Sequence, residues 1–299
     1  MKTSSKSLSI QKWHEPLVFI GPAVLVLLAI TIYPLLYSLF MSFHKIFLTK
    51  MHLGTPFIGF DNYKRVFTDN LFWISLKNTF VFSFSSVGVE FVLGIILALL
   101  VDRLYSAFKD VARTFLLLPM IIAPVVVALI WRFMYNTDFG IINYFLNTFF
   151  GIEGKQWLAD PNLAMSAVII MDVWEWTPFM FLIFLAGLQS LPQDPYEAAY
   201  IDGASSVQVF FYITIPLLKK IVLLSLLIRL IDAIKTFDNV FVLTRGGPGS
   251  STELLSLYIY RNGFRHFNIG YGSALSIILL IIVVFFSKLL INLLSEKNG

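Results

Sequence analysis

The chain has 299 residues, of which 58% are hydrophobic and 13% charged. A soluble domain is nearer half apolar and about a quarter charged, so the composition excludes an ordinary soluble core and points to a polytopic membrane protein. The net charge of +4 comes from dispersed basic residues, which argues against nucleic-acid binding, and the lack of cysteine excludes disulfides, iron–sulfur ligation and thiol catalysis.

Crossing the hydrocarbon takes about 20 apolar residues. Six segments qualify: residues 17–43, 76–101, 112–135, 164–188, 212–234 and 271–294. An even number of spans puts both termini on one side. The N-terminus is basic (Lys2, Lys6, Lys12) and then apolar over a long stretch without a small-residue cleavage site, so it reads as a retained first span rather than a signal peptide. Lys and Arg are only slightly denser on the side of the termini, a weak positive-inside signal.

In chain order, Tyr33-Pro34 predicts a kink in the first span. Phe72-Trp73 falls where a water interface is expected. The second span carries Glu90, an intramembrane carboxylate with no obvious partner in the sequence. A short charged loop, residues 102–113, leads to a third span with Pro119 and Pro124 that ends in Trp131-Arg132-Phe133. Prolines there bend a helix at fixed points; they suit a gate, and they are also simply frequent in membrane helices. Residues 141–150 are apolar but too short to span, and an interfacial helix fits them.

The fourth span places Asp172, Glu175, Trp176 and Phe179 at i, i+3, i+4 and i+7, on one helical face. Carboxylates inside a membrane are costly and normally face a polar cavity or one another. Beside aromatic rings they can hold a polyol, whose hydroxyls bond to oxygens while its C–H faces stack on rings. Bridging to neighbouring helices is the alternative. In the fifth span Arg229, Asp232 and Thr236 share a side, with Ala233 between them and Lys235 and Asp238 nearby. Asp232 is within reach of Arg229 or Lys235, so an internal ion pair competes with a substrate role.

Between these spans lies residues 195–217, PYEAAYIDGASSVQVFFYITIPL. Glu197, Ala198 and Ala199 favour a helix, and Pro192 and Pro195 sit where one can begin. Gly203, followed by Ala204, Ser205 and Ser206, predicts a tight turn with a small surface, and Pro216 falls near the start of the next span. The pattern reads as helix, turn, helix, with room for another protein.

No hydrolytic or metal-binding constellation is visible. The four histidines are scattered, and His14-Glu15 runs into Pro16 rather than a zinc-protease helix. Gly154-Lys155 is followed by Gln156, not Ser or Thr, so the chain has no phosphate loop.

The residues Glu197-Ala198-Ala199, Gly203, Ile213 and Ile215-Pro216 resemble the EAA loop of binding-protein-dependent ABC importers, most closely the sugar-type permeases of the maltose and glycerol-3-phosphate branch. Residues 59–79, the third-span prolines with Trp131, and Thr244-Arg245-Gly246-Gly247-Pro248 also resemble family patterns. The resemblance implies an all-α polytopic membrane protein with six transmembrane helices, the type I importer permease fold. It implies an N-terminal part at 1–70, a permease core at 71–292 and a tail at 293–299. It further implies that Glu197, Ala198, Ala199, Asp202 and Gly203 couple to an ATPase on the cytoplasmic face, where both termini then lie. The substrate path maps onto Asp172, Glu175, Trp176, Phe179, Asp232, Ala233, Lys235 and Thr236.

The expected partners are an ATPase dimer, a second permease, an extracellular solute-binding protein, a sugar-like substrate and the bilayer of a prokaryotic plasma membrane. No cofactor is expected in this chain, since ATP and Mg would sit on the ATPase. The rival reading is an ion-coupled secondary transporter that uses the intramembrane carboxylates; the lack of a clear repeat between the halves counts mildly against it.

Overall fold

A computed structural model describes residues 14–104 and 106–295. Among them the regular elements are helical, apart from two isolated antiparallel bridges. The first helices are α1 (His14–Ser42), α2 (Asp61–Thr68), α3 (Asn70–Asp102), α4 (Ser106–Ile121), α5 (Pro124–Met134) and α6 (Ile141–Phe150). They are followed by α7 (Pro161–Gln189), α8 (Asp194–Ile201), α9 (Ser206–Val209), α10 (Ile215–Lys235), α11 (Asp238–Leu243), α12 (Leu255–Tyr260) and α13 (Ile269–Ser295). Five helical stretches are long and apolar enough to cross a membrane, and α4 with α5 makes a sixth if the bent pair counts as one span.

That bent pair departs from the expected third span. Its two halves meet at 93° across Ile122 and Ala123. Pro119 lies inside α4, whereas Pro124 opens α5. A proline disfavours the α conformation in the residue before it, and Ala123 is extended at φ −61°, ψ 136°. The break therefore belongs to Pro124. The segment 141–150 is helical as expected, and Gly151 closes it in the left-handed conformation at φ 63°.

The described residues fall into two compact units. In the first, residues 14–68 and 261–278, the Asn62 amide donates to the carbonyls of Ser42 (2.8 Å) and His44 (3.0 Å), which fixes the chain where it leaves α1. The Arg65 guanidinium lies 4.4 Å from the centre of the Tyr271 ring. The Ile20–Ser42 stretch is strongly apolar, and none of the residues in its most apolar window is buried.

The second unit, residues 69–260 and 279–295, holds the core. Here α3 and α7 are the main packing pair, with α10 against both. Phe82, Ile95, Met171, Met180, Phe181 and Phe184 are buried among them. Asp69 caps α3 by accepting from the Leu71 amide at 2.9 Å, and Asp160 caps α7 through Asn162 at 2.8 Å. Phe72 is buried rather than interfacial, so of that pair only Trp73 is exposed.

Small residues allow close approach between membrane helices, and Gly94 is the case in point. A Cβ there would stand 2.6 Å from the Met180 Cβ and 3.0 Å from the Phe181 nitrogen. Gly94→Ala should therefore force α3 from α7 and cost about 1–3 kcal/mol, read as a lower unfolding temperature in detergent. Gly88, whose Cβ would meet nothing within 4 Å, is the control: Gly88→Ala should melt at or slightly above wild type, because alanine favours helix. Equal melting of the two variants would show slack between α3 and α7.

Candidate functional site

Within the second unit the polar residues of α3, α7 and α10 converge on one side chain, Arg229 of α10. Its Nε donates to Glu90 Oε2 at 2.8 Å and its Nη2 to Glu90 Oε1 at 2.9 Å, a two-pronged fork onto one carboxylate. Nη2 also donates to Asp172 Oδ2, and Nη1 lies 3.4 Å from Asp232 Oδ2. Arg229, Glu90 and Asp172 are almost fully buried, whereas the Asp232 side chain is half exposed. Glu90 thus has a partner, contrary to the sequence expectation. The two residues are 139 positions apart, a separation that local spacing cannot bridge.

The fourth-span stripe divides on folding. Asp172 and Glu175 turn into the protein, whereas Trp176 and Phe179 are only partly buried. Glu175 Oε2 accepts from Asn239 Nδ2 at 2.5 Å. The Trp176 ring is edge-on to Phe179 at 6.3 Å and lies 5.0 Å from the Arg229 guanidinium carbon. Its other surroundings form a pocket of about 180 Å³, lined by Trp176, Asp232, Lys235, Thr236, Asp238 and Asn239, with Pro124 at its wall. Ala233 is buried in the core and Phe179 lies outside the pocket lining. Of the eight residues placed on the path from sequence, Trp176, Asp232, Lys235 and Thr236 meet at this pocket.

Arg229, Glu90 and Asn239 were not among those eight. Arg229 carried a signal, since an intramembrane cation facing carboxylates is expected to organise them. Asn239 carried none, because its role depends on how the chain turns after α10. That turn is set locally: Thr236 ends α10 and α11 starts at Asp238, which places Asn239 beside α7.

The second candidate region is the turn between α7 and α10. Helix α8 has Pro195 in its first turn and buries no residue. It closes as a Schellman motif: the Ala204 amide donates to the Ala199 carbonyl at 2.9 Å and the Gly203 amide to the Tyr200 carbonyl at 3.1 Å. This motif needs a left-handed residue, and Gly203 has φ +75°. Ser205 and Gln208 form a capping box that starts α9. The Tyr196 hydroxyl donates to Thr214 Oγ1 at 3.1 Å, tying α8 to the base of α10, which Pro216 opens. Glu197, Ala198, Asp202 and Gly203 are exposed and Ala199 is partly so. Ile201 and Tyr212 are 85% and 79% exposed, and Val207 and Phe211 are also mostly uncovered, so a large apolar surface surrounds the turn.

Removing the cation from the inner cluster should be costly, because two buried carboxylates lose their counter-charge. Arg229→Leu is expected to lose about 3–5 kcal/mol and to lower the amount of folded protein in the membrane. Adding Glu90→Gln and Asp172→Asn to that variant should restore most of it. A triple variant no better than Arg229→Leu would show that the cluster's worth lies elsewhere than in charge balance.

Residues 90–297 match the family described as binding-protein-dependent transport system inner membrane component. The trehalose/maltose transport system permease protein MalF of Thermococcus litoralis is 39% identical, with 90% of each chain covered. The fold is that of a permease in a bacterial ABC transporter that imports the acidic polysaccharide alginate: TM-score 0.82 at 24% identity, covering 95% of this chain and 96% of the other. The alginate transporter in complex with a pentasaccharide-bound periplasmic protein gives 0.77 at 25% identity, covering 92% and 95%. The exposed helix–turn–helix between two spans thus occurs in a chain alike in sequence and fold to importer permeases, and the protein belongs to the binding-protein-dependent transport system inner membrane components, with the type I ABC importer permease fold.

Proposed function

We infer that this chain is the permease subunit of an ATP-driven importer that translocates a sugar or related polyol delivered by an extracellular binding protein. The observation that carries this reading is the turn at Gly203: an exposed, rigidly closed helix end ringed by uncovered apolar side chains, in a chain that has no phosphate loop. An ATPase dimer would dock on α8 and α9, holding ATP and Mg itself. The turn then faces the cytoplasm, and with six spans both termini lie on that side. A second permease, most simply a homologue, would complete the path, since few helices of one chain face the pocket. ATP-driven closure of the ATPases would move the docked turns and rock the spans between inward- and outward-open states.

The sugar class is supported by the pocket's chemistry and by the trehalose/maltose relative's name. An aromatic ring stands beside a hydroxyl, an amide and carboxylates, the set that stacks on a pyranose and bonds its hydroxyls. Family membership favours this importer over the ion-coupled transporter raised by the intramembrane carboxylates. Burial of Glu90 and Asp172 against Arg229 accounts for two of those carboxylates without a carrier role.

Two experiments test the reading. Gly203→Leu puts a side chain on a left-handed residue, and Glu197→Lys reverses a charge on the exposed helix. Each should leave membrane levels normal, weaken co-purification of the ATPase and abolish ATP-dependent uptake. Wild-type values for both measurements in both variants would show that this turn is not the coupling element. Trp176→Ala should reduce uptake by about two- to ten-fold, the worth of a stacking contact, with subunit assembly intact. Unchanged uptake kinetics would remove the pocket from the path.

A further inference from the structure

Where α1 ends and α13 begins, the chain builds a small braced patch inside the first unit. Residues 44–48 run antiparallel to two neighbours: His44 bridges to Phe57 on one side and Phe47 to Asn268 on the other. The Lys45 amide donates to the Pro56 carbonyl at 3.0 Å, and the Leu48 amide to the Phe267 carbonyl at 2.9 Å. Gly270 comes so close that a Cβ there would stand 2.1 Å from the His44 carbonyl oxygen. Asn268 immediately precedes α13, so the patch cannot lift away from the end of that span. The headgroup layer on each side of a bilayer is about 5–8 Å thick, and extended backbone advances about 3.3 Å per residue. The patch therefore lies at headgroup depth.

Its surface mixes two kinds of side chain. Leu48, Met51, Phe57, Phe60, Phe264 and Phe267 leave large apolar areas uncovered, Phe57 71% of its surface. Around them, residues 43–68 and 261–268 carry six cations, Lys45, Lys50, Lys64, Arg65, Arg261 and Arg265, against one carboxylate, Asp61. Asp61 is taken by Lys64 at 3.2 Å, and Arg65 lies on the Tyr271 ring. Lys45, Lys50 and Arg265 are exposed. In the orientation inferred above this excess stands on the outer side, where membrane proteins usually carry fewer Lys and Arg. Phenylalanine and leucine beside Lys and Arg make a segment that lies in the membrane interface, whereas lysine is depleted in surfaces that bind proteins.

We propose that this patch is a docking surface for anionic phospholipid headgroups, in the leaflet that α1 reaches at Ser42. Phe57 and Phe60 lie among the upper acyl chains, while Lys45, Lys50 and Arg265 take the phosphates and lay their aliphatic stems along the apolar surface. A zwitterionic headgroup brings its own ammonium and leaves the positive excess of the patch uncompensated. A net-anionic headgroup cancels it. Each Lys or Arg held at a membrane surface is worth about five-fold in affinity for anionic lipid. Because the patch ties the end of α1 to the start of α13, the lipids it holds brace both spans at that end.

The lack of cysteine in the chain allows a single reporter. Thr55→Cys, at an exposed position beside Pro56, takes a bimane label in the full chain, reconstituted in nanodiscs in the complex in which it purifies. Lipids brominated high on the acyl chain quench bimane on contact, so brominated phosphatidylcholine and phosphatidylglycerol read the lipid at this place. Both should quench, with phosphatidylglycerol favoured about five-fold or more. Lys50→Gln should lower that preference, and Lys45→Gln/Lys50→Gln/Arg265→Gln should abolish it while phosphatidylcholine still quenches, which also shows that the variant is inserted. If the triple variant does not insert, Lys50→Gln carries the test. Equal quenching by the two lipids in the labelled parent overturns the proposal, as does a preference that the variants do not lower. A label that neither lipid reaches overturns it too, and shielding of that label from aqueous iodide by an extracellular solute-binding protein would make the patch a protein dock instead.

Discussion

Three helices of the core, α3, α7 and α10, meet on one buried guanidinium. Arg229 brings a positive charge into a place where a charge is expensive, and that cost is met only if carboxylates from other helices reach it. Glu90 from α3 and Asp172 from α7 do so, which fixes the rotation and depth of three helices relative to each other. Apolar packing alone specifies such things weakly in a membrane, where lipid tails are as apolar as leucine. The contact of Gly94 with Met180 works in the same direction, since it sets how closely α3 and α7 can lie.

The same cation shapes the pocket without lining it. It lies behind the Trp176 ring and within 3.4 Å of Asp232, so an aromatic surface and a half-exposed carboxylate are both held by a residue that the pocket does not touch. Structural ion pairing and a polar substrate surface were alternatives in the sequence. In the folded chain the ion pairing is what is seen: Glu90 and Asp172 lie buried on Arg229, while Asp232 and Trp176 stand at the pocket edge, where the proposed substrate surface would be.

How much of this was legible in the sequence follows the range of the interactions. The Schellman turn is local: Gly203, its preceding helix formers and the Ser205–Gln208 box lie within a few residues, and the expectation of helix, turn, helix held. The spans were legible from hydropathy, because each must be apolar by itself. The split of the Asp172–Glu175–Trp176–Phe179 face was not legible. A helical wheel gives direction, but only the neighbouring helices decide which part of a wide stripe is covered. Glu90 found its partner across 139 residues, and Asn239 reached Glu175 through a turn whose path no periodicity announces. The third span was expected to bend, yet whether Pro119 or Pro124 broke it depended on the helix start that Pro124 could occupy and Pro119 could not.

The break between α4 and α5 has a consequence for hydration. A helix that stops and restarts leaves the last carbonyls of one half and the first amides of the other without intrahelical partners. In hydrocarbon each such group costs several kcal/mol. Irregular backbone at membrane depth is tolerated only against protein or a water-filled space. Where the break lies at membrane depth, the backbone around Ile122 and Ala123 must therefore face protein or water rather than lipid tails, and Pro124 at the pocket wall puts it beside Trp176 and Asp232.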